Sequence, residues 1–446
     1  MNRAEWPQAV HNLYRRRWRI WIVAVLAHAI GMFHRAAMAP MADRIMADFD
    51  ISAVAFGSLG AVYFYIYAAM QLPSGTLADT LGPRKMIIAG LLLSSVGSLV
   101  MGVAPSFRIV YVGRLAVSFG VSVVWLSVIK VLMGWFRTRE LATIIGLSIS
   151  IACLGQLAGT TPLALLVTGV GWRISFVITS LVSFALAVAN WAIIKDSPAQ
   201  AGLPSTAEHE WQAALRVVTP RGRSKSDLAR RFKIVFGNRR FLPLLLLNFG
   251  TYGAYATLFH NWAVLYFMQT YGIHRDFAAN FVLVATIGLM AGAPVVGFIS
   301  DQISRQRRLP CLVFAGSTMA SFLLLTFWNG GKPPLQTLYP LCFFVGFGTS
   351  ATFIPLACVK DMVQPSVRGI ASGLVNMVLF AGAAVGQPLF GYILELGWTG
   401  EMMEDTRVYP LDAFQQGLLL CCVLAILGFL GALFIKETPN RESQRA

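Results

Sequence analysis

Twelve long apolar runs restrict the fold of this chain more than any other feature of its sequence. Each run is about 20 residues or longer, the length at which an α-helix crosses the hydrocarbon core of a bilayer. A transmembrane β-barrel would instead show strands of about 10 residues with alternating polarity. The sequence therefore predicts an all-α, multi-pass membrane protein with spans 1 to 12 near residues 18–42, 54–74, 86–104, 109–134, 141–168, 174–194, 241–269, 279–299, 309–328, 337–359, 369–394 and 411–435.

The composition and the distribution of charge agree with a membrane bundle. The chain is 56% hydrophobic and 13% charged, whereas soluble domains are about 25% charged. The net charge of +16 reflects basic loops of one parity, such as those holding Lys85 and Arg307, while Asp48 and Glu401 lie in loops of the other parity. The positive-inside rule then places both termini in the cytoplasm, in a cell (inner) membrane, and no nucleic-acid partner is needed to explain the basic charge.

One long polar stretch, residues 196–240, divides the chain into two halves of six predicted spans each. We expect an N-terminal bundle at 1–195, a basic cytoplasmic linker at 196–240 and a C-terminal bundle at 241–446. The basic residues of the linker are suited to contact anionic lipid headgroups, although docking of a partner protein is an alternative.

The two halves repeat each other. Gly75-x-x-x-Asp79 at the end of span 2 recurs as Gly297-x-x-x-Asp301 at the end of span 8, and both copies are followed by cations. Further pairs recur at nearly constant offsets of 226 to 228 residues, namely Phe119-Gly120 with Phe347-Gly348, Gly146-Leu147 with Gly373-Leu374, Gly155 with Gly382, Gly159 with Gly386, and Gly171-Trp172 with Gly397-Trp398. A duplicated membrane bundle of this kind is typical of transporters.

The first copy of this loop has a physical interpretation as a gate. Asp79 at the inner end of span 2 can accept hydrogen bonds from the amides at another helix's N-terminus, where the helix dipole favours an anion. Gly82 and Pro83 allow a tight turn, and Arg84 and Lys85 stay in the cytoplasm. The alternative is a plain loop whose charges only set the topology.

Gly75-x-x-x-Asp79-x-x-Gly82-x-Arg84-Lys85 resembles the signature loop of the major facilitator superfamily. The resemblance implies two six-helix bundles related by a pseudo-twofold axis, and a cytoplasmic gate that opens as the bundles rock. The second copy departs from the pattern at Ser304 and Gln306, so it is expected to be the weaker contact. The predicted gate residues are Gly75, Asp79, Gly82, Arg84, Lys85, Gly297, Asp301 and Arg305.

Ionisable residues inside predicted spans are candidates for a functional site. They are His28, His34, Arg35, Arg114, Lys130 and His260, and no Asp or Glu lies deep in any span. The surroundings of Arg35 resemble the first-helix arginine motif of the organophosphate/phosphate antiporters and the anion/cation symporters. That resemblance implies that Arg35 binds the anionic group of a substrate, which suits a guanidinium. The alternative is that Arg35 extends to the outer headgroups.

The other two cations also have alternatives. Arg114, near the outer end of span 4, is expected either to contact substrate or to serve a structural or gating role. Lys130, near the inner end of span 4, either faces the cavity or extends to the cytoplasm.

The families that the Arg35 motif resembles often carry an acid beside the first-helix arginine and another in the middle of span 4. This chain has His34 and Val121 at these positions. The organophosphate antiporters that the chain resembles use a second arginine in span 7, whereas this chain has no Arg or Lys between Arg240 and Arg275. The resemblance therefore implies a carboxylate rather than a doubly charged phosphate.

Polar side chains recur on the faces of spans 2 and 7, where ordinary helix packing is the alternative to a lining role. On span 7 they are Asn248, Tyr252 and Tyr255, spaced i, i+4 and i+7. The predicted substrate-binding set consists of the three cations with Tyr63, Tyr67, Gln71, Gln156, Tyr252, Asn261 and Gln387.

No enzyme motif, phosphate-binding loop or metal-ligand spacing was found, and the six cysteines lie in apolar runs without a disulfide pattern. We therefore expect a secondary transporter for a small organic anion, without a cofactor or metal, acting as a monomer. Proton symport is favoured, with sodium as an alternative, and His34, His260 or the substrate itself would carry the proton. Organophosphate/phosphate exchange, export of an anionic compound and a non-transporting membrane sensor are the alternatives.

Overall fold

The computed structural model describes residues 6–71, 73–136, 138–198, 200, 237, 241–300, 307–362, 367–403 and 406–435. Most of the predicted linker, and the predicted gate residues Asp301 and Arg305, lie outside the described residues, as does the side chain of Asp79. The described part is helical except for loops and one hairpin of two-residue strands, β1 (Met402–Met403) and β2 (Thr406–Arg407).

Nine helices form the described part of the N-terminal half. They are α1 (Trp6–Ala36), α2 (Ala42–Phe49), α3 (Ala53–Met70), α4 (Pro73–Thr80), α5 (Pro83–Gly102), α6 (Phe107–Ser122), α7 (Val124–Trp135), α8 (Thr138–Ala158) and α9 (Thr161–Ile193). Span 1 consists of α1 and α2, which meet at a bend of 48°. Pro40 lies in a short 3-10 turn at this bend. Spans 2 and 4 are each divided into two helices, α3 with α4 and α6 with α7.

Eight helices follow the linker in the described residues. They are α10 (Leu242–Thr257), α11 (Ala263–Tyr271), α12 (Arg275–Phe298), α13 (Arg308–Phe327), α14 (Leu338–Thr349), α15 (Ile354–Met362), α16 (Arg368–Leu396) and α17 (Leu411–Leu433). Span 7 consists of α10 and α11 joined by a π-helical segment at Leu258–Trp262. Span 10 combines α14 with α15, and spans 8, 9, 11 and 12 are single helices.

The described helices confirm the bundle of twelve spans. Ten helical stretches are long and apolar enough to cross a membrane, and the bent pair of span 1 makes eleven. One stretch, Thr143–Ile193, is 51 residues long, or about 77 Å as a continuous helix, far more than a bilayer core of about 30 Å. Gly171 interrupts it with φ 82° and ψ 164°, a backbone conformation that only glycine adopts easily. Spans 5 and 6 therefore meet at Gly171.

Among the described residues, the apolar core is continuous between the halves toward one face of the membrane and divided toward the other. We call the face next to residues 195 and 241 the linker face, and the other the opposite face. Toward the linker face each half has its own cluster, one around Val128 and one around Phe314. Toward the opposite face a single cluster joins both halves, from Phe56 to Phe390. In the described residues the halves are thus packed together at the midplane and at the opposite face.

Glycines allow close helix crossings, and equivalent glycines make equivalent crossings in the two halves. A Cβ on Gly155 would lie 2.0 Å from the carbonyl oxygen of Ala29 in span 1, and one on Gly382 would lie 2.1 Å from that of Phe249 in span 7. The repeated glycines therefore pack span 5 on span 1 and span 11 on span 7.

A further glycine crossing joins the halves to each other. A Cβ on Gly57 in α3 would lie 2.7 Å from the carbonyl oxygen of Gln387, and one on Gly391 would lie 2.3 Å from that of Ala53. The backbones of α3 and α16 therefore approach each other directly at these two glycines.

The turn after span 2 has the predicted form. Gly82 adopts φ 88°, and Pro83 begins α5. The Arg84 guanidinium donates to the carbonyl oxygen of Trp191 at 2.6 Å, and its backbone amide donates to Asp196 at 2.8 Å. Trp191 belongs to the N-terminal half, and Asp196 is the first residue of the predicted linker. At the equivalent site a Cβ on Gly297 would meet open space among the described atoms, so no close helix approach explains that glycine.

Candidate functional site

Arg35 lies in the last turn of α1, just before the bend of span 1, and its side chain points into the interface between the halves. The residue is 8% exposed. Its guanidinium carbon lies 5.9 Å, 5.4 Å and 5.2 Å from the ring centroids of Tyr63, Tyr67 and Phe380. The first two rings belong to span 2 and the third to span 11, so both halves contribute to this aromatic cage. Cation–π contacts of this kind favour a guanidinium without neutralising its charge.

Arg114 lies behind Tyr63. It is fully buried, with its guanidinium carbon 5.1 Å from the centroid of the Tyr63 ring. Its Nη1 donates to the backbone carbonyl of His34 at 3.0 Å, and the Tyr63 hydroxyl donates to that of Gly31 at 3.0 Å. One tyrosine ring thus contacts two buried cations, and spans 1, 2 and 4 are joined around it.

Span 7 supplies an imidazole and two phenols to the same region. The His260 ring stacks on Phe64 with centroids 5.9 Å apart and an interplanar angle of 10°, and it meets Tyr252 and Tyr255 edge-on. Gln156 of span 5 lies 3.4 Å from both the Tyr255 hydroxyl and the His260 Nε2. These contacts bridge the two halves at the level of Arg35.

The π-helical segment of span 7 brings amide groups against span 2. A Cβ on Gly60 would lie 2.3 Å from Asn261 Oδ1 and 2.6 Å from Gln387 Oε1. Gln387 uses its Nε2 to donate to the carbonyl of Ala256 at 3.0 Å, which fixes its orientation. Its Oε1 and both polar atoms of the Asn261 side chain are buried without a hydrogen-bond partner, as is the Tyr252 hydroxyl. Unsatisfied polar atoms are costly when buried, which suits a place where a polar ligand binds.

The structure brings together most of the predicted substrate-binding residues but separates two of them from Arg35. Gln71 accepts from Asn376 of span 11 at 3.0 Å, closer to the linker face. Lys130 is half-buried on α7. The contact of Gly31 with Val121 fixes the register of spans 1 and 4, and it places Lys130 about 20 Å from Arg35 along the helix axes.

The remaining titratable candidates lie at the edges of the site. His34 is fully buried, and its Nε2 lies 3.5 Å from Ser98 Oγ in span 3. His28 stacks on Trp125 within the N-terminal half, with centroids 4.3 Å apart. Asn248 donates to the carbonyl of Val375 at 3.2 Å and therefore joins spans 7 and 11. Among the described residues, no group of three or more His, Cys, Asp or Glu side chains is placed to hold a metal ion.

Phe380 belongs to the site although the sequence did not single it out. The repeat of the two halves could have pointed to Phe380. Phe380 follows Cys153 by the same 227 residues that separate Gly155 from Gly382, and Cys153 is an electrostatic neighbour of Arg35. Equivalent positions in spans 5 and 11 therefore flank the arginine.

Two charged clusters that the sequence did not predict join the halves at the opposite face. Arg275, the first residue of α12, forms a bidentate pair with Asp43 of α2, with one contact at 2.8 Å, and also donates to the carbonyl of Pro40 at 2.6 Å. Glu395 near the end of α16 accepts from the Ala53 amide at the start of α3 at 3.1 Å. Arg407 of β2 holds Glu395 at 2.6 Å. The carboxylate of one half thus caps a helix of the other half, where the dipole favours an anion.

A duplicated twelve-span bundle with a polar, cationic site buried between its halves is the architecture of a secondary transporter. The sequence profile of the Major Facilitator Superfamily matches residues 24–357. The chain belongs to the Major Facilitator Superfamily, a family of transporters and not of enzymes.

Individual relatives are distant but cover almost the whole chain. The chain is 25% identical over 432 residues to a probable sulfoacetate transporter of Cupriavidus necator, which covers 94% of this chain and 95% of that protein. It is 23% identical over 461 residues to a probable hexose phosphate transport protein of Chlamydia trachomatis, with 98% and 95% coverage.

The fold matches that of a bacterial homologue of the human lysosomal transporter Spinster, solved in an inward-facing and unoccupied conformation. The TM-score is 0.70 at 16% identity, with 95% of this chain and 99% of that chain covered.

Proposed function

We propose that this transporter moves a small organic anion, a carboxylate, with Arg35 as the anchor for its anionic group. The observation that carries the proposal is the position of Arg35, which is buried between the halves and surrounded by aromatic rings. A buried guanidinium that lacks a carboxylate partner is costly, and an anionic ligand would offset its charge for part of the cycle. No ion pair between described residues includes Arg35.

The relatives support an anion as cargo. Sulfoacetate and hexose phosphates, named for the two relatives, are both organic anions. In the proposed site, Tyr63, Tyr67 and Gln156 would contact the cargo beside Arg35, and the unsatisfied amides of Asn261 and Gln387 would bind its polar groups. Gln71 and Lys130 would then act closer to the linker face, along the path of exit, with the adjacent loop at Asp79 as the gate.

Uptake of an anion needs energy from a cotransported cation. Moving one negative charge into a cell opposes the membrane potential by about 2.3 kcal/mol per 100 mV. We propose proton symport, with His260 as the preferred carrier because its ring contacts residues from both halves. His34 is the second candidate.

Transport is proposed to follow alternating access, with the halves moving about the site of Arg35. The packed opposite face and the separate apolar clusters at the linker face correspond to a state closed on one side. If the linker is cytoplasmic, as the distribution of charge predicts, this state faces inward.

The proposed function is tested by uptake into proteoliposomes. A panel of carboxylates, sulfonates and sugar phosphates is offered with and without an inward pH gradient. We expect one or more organic carboxylates to enter, faster with the gradient, and Arg35→Ala to abolish uptake while Arg35→Lys retains part of it. Undiminished uptake by Arg35→Ala would contradict the anchor.

Other outcomes identify the other functions. Exchange that requires internal phosphate would indicate an organophosphate/phosphate antiporter. Transport only out of the vesicle lumen would indicate an exporter, and binding without flux would indicate a sensor.

A further inference from the structure

We infer that the cargo carries two negative charges, and that Arg114 supplies the second positive charge of the site from behind Tyr63. This inference rests on the proposed function and narrows its substrate class from an organic anion to a dianion. The juxtaposition that carries it is one aromatic ring, that of Tyr63, in contact with two buried guanidinium groups.

Arg114 does not contact the cargo. Its side chain is fully buried, with the Tyr63 ring on one side, while its Nη1 is held by the carbonyl of His34. His34 immediately precedes Arg35, so the charge of Arg114 lies next to the peptide that carries the anchor. A cation fixed there acts on a ligand at Arg35 through its field, without a direct hydrogen bond.

The carboxylates that could offset these cations have partners elsewhere. Asp43 pairs with Arg275 and Glu395 with Arg407 at the opposite face, while Glu140 pairs with Arg17. Asp48 accepts from Trp172 and Asp196 from the Arg84 amide. None of the ion pairs between described residues includes Arg35 or Arg114. The electrostatic neighbours of Arg35 are phenols, the Cys153 thiol and the imidazoles of His28 and His260, and none of these is a carboxylate.

The described site therefore carries two positive charges in a desolvated region. A monoanion bound at Arg35 would leave one of them uncompensated, whereas a dianion would neutralise both. Two unit charges about 10 Å apart in a protein interior interact strongly enough to change an affinity by roughly tenfold. Arg114 thus determines which ligand charge is preferred, and the residues that contact the ligand determine which shape is preferred.

The test compares each diacid with the amide that removes one charge and leaves the size nearly unchanged. Suitable pairs are succinate with succinamate, L-tartrate and D-glucarate with their monoamides, and sulfoacetate with its amide. Affinities are measured by calorimetry on the purified full-length protein at neutral pH. For each pair that binds, we expect wild type to bind the diacid roughly tenfold or more tightly than the amide.

Two substitutions of Arg114 separate its charge from its structural role. Arg114→Gln keeps a hydrogen-bond donor for the carbonyl of His34 but removes the charge, and Arg114→Lys keeps the charge. We expect the preference for diacids to fall by roughly tenfold in Arg114→Gln and to persist in Arg114→Lys. If Arg114 had only a structural role, Arg114→Gln would weaken the binding of a diacid and of its amide equally.

Three outcomes would overturn the inference. The first is equal or tighter binding of the amides by wild type, which needs no substitution and stays informative if Arg114→Gln does not fold. The second is an unchanged preference in Arg114→Gln. The third is failure of every probe to bind wild type, together with undiminished uptake by Arg35→Ala. The third outcome removes the proposed function as well, whereas the first two leave it standing.

Discussion

Tyr63 connects two buried arginines with the backbone of span 1. Its ring contacts the guanidinium groups of Arg35 and Arg114, and its hydroxyl donates to the carbonyl of Gly31. The ring and the hydroxyl therefore have separable roles. The ring keeps two like charges apart and stabilises both, while the hydroxyl holds the register of spans 1 and 2.

Substitution of Tyr63 should separate these two roles. Tyr63→Phe removes one buried hydrogen bond, so we expect a loss of about 1 kcal/mol in the free energy of unfolding, with cargo affinity changed by less than roughly threefold. Tyr63→Leu also removes the ring and its cation–π contacts, so it should weaken binding further. Thermal unfolding in detergent and calorimetric binding measure the two effects, and equal binding losses in both variants would contradict the separation.

Gly60 is the residue at which a single methyl group should block the site. A Cβ there would lie 2.3 Å from Asn261 Oδ1 and 2.6 Å from Gln387 Oε1. We expect Gly60→Ala to displace both amides and lower the uptake rate at least roughly tenfold, because small misplacements of binding groups are costly. Gly146→Ala is the matched control, since a Cβ at Gly146 would meet no atom within 4 Å. Equal uptake by the two variants would contradict the role of the amides.

At the scale of single residues, the sequence showed which residues are unusual better than it showed which residues lie next to each other. A cation in an apolar run is conspicuous, so Arg35 and Arg114 were found. Phe380 was not, because a phenylalanine in an apolar run has no distinguishing property until the fold brings it beside a guanidinium. The sequence groups Lys130 with Arg35 because it does not show the register of span 4 against span 1. That register decides how far apart the two cations lie across the membrane.

The transmembrane elements are broken where the site lies. Span 1 bends by 48° just after Arg35, and span 7 widens into a π-helix at His260 and Asn261. Both departures turn side chains into the interface between the halves. Hydropathy predicted the existence of these spans but not their breaks, because a break depends on tertiary contacts that leave the apolar composition unchanged.

The charged pair between α2 and α12 should stabilise the state that is closed at the opposite face. Asp43→Asn would leave the buried Arg275 without its carboxylate, and loss of one partner of a buried pair costs about 3 to 5 kcal/mol. We therefore expect faster amide hydrogen exchange at the starts of α3 and α12. Asp276→Asn, which changes the residue beside Arg275, is the control. Unchanged exchange in Asp43→Asn would mean that the pair does not hold this face closed.

The whole molecule is asymmetric across the membrane although its halves repeat. One apolar cluster joins the halves toward the opposite face, and separate clusters lie toward the linker face. The sequence predicted the twelve spans from the lengths of the apolar runs, and the duplication from the constant spacing of the repeated motifs. It did not predict this conformation, since one sequence must serve every state of a transport cycle.

The orientation of the molecule is a prediction that belongs to this scale. Basic loops on the linker face place that face, with both termini, in the cytoplasm. Short epitope tags at the two ends should be inaccessible to antibody in intact spheroplasts and accessible in inverted vesicles. A tag in the loop between spans 1 and 2 should behave in the opposite way, and any other pattern would contradict the predicted topology.

The bare backbone contact between α3 and α16 bears on how fast the molecule switches. Helices that pack through interlocking side chains must unlock them before they slide past each other. At Gly57 and Gly391 there are no side chains to unlock, so this contact adds little to the activation barrier. The slow step would then be the parting of Arg275 from Asp43 and of Glu395 from the Ala53 amide. Turnover at saturating cargo should accordingly depend more on those four residues than on the large apolar interface beside them.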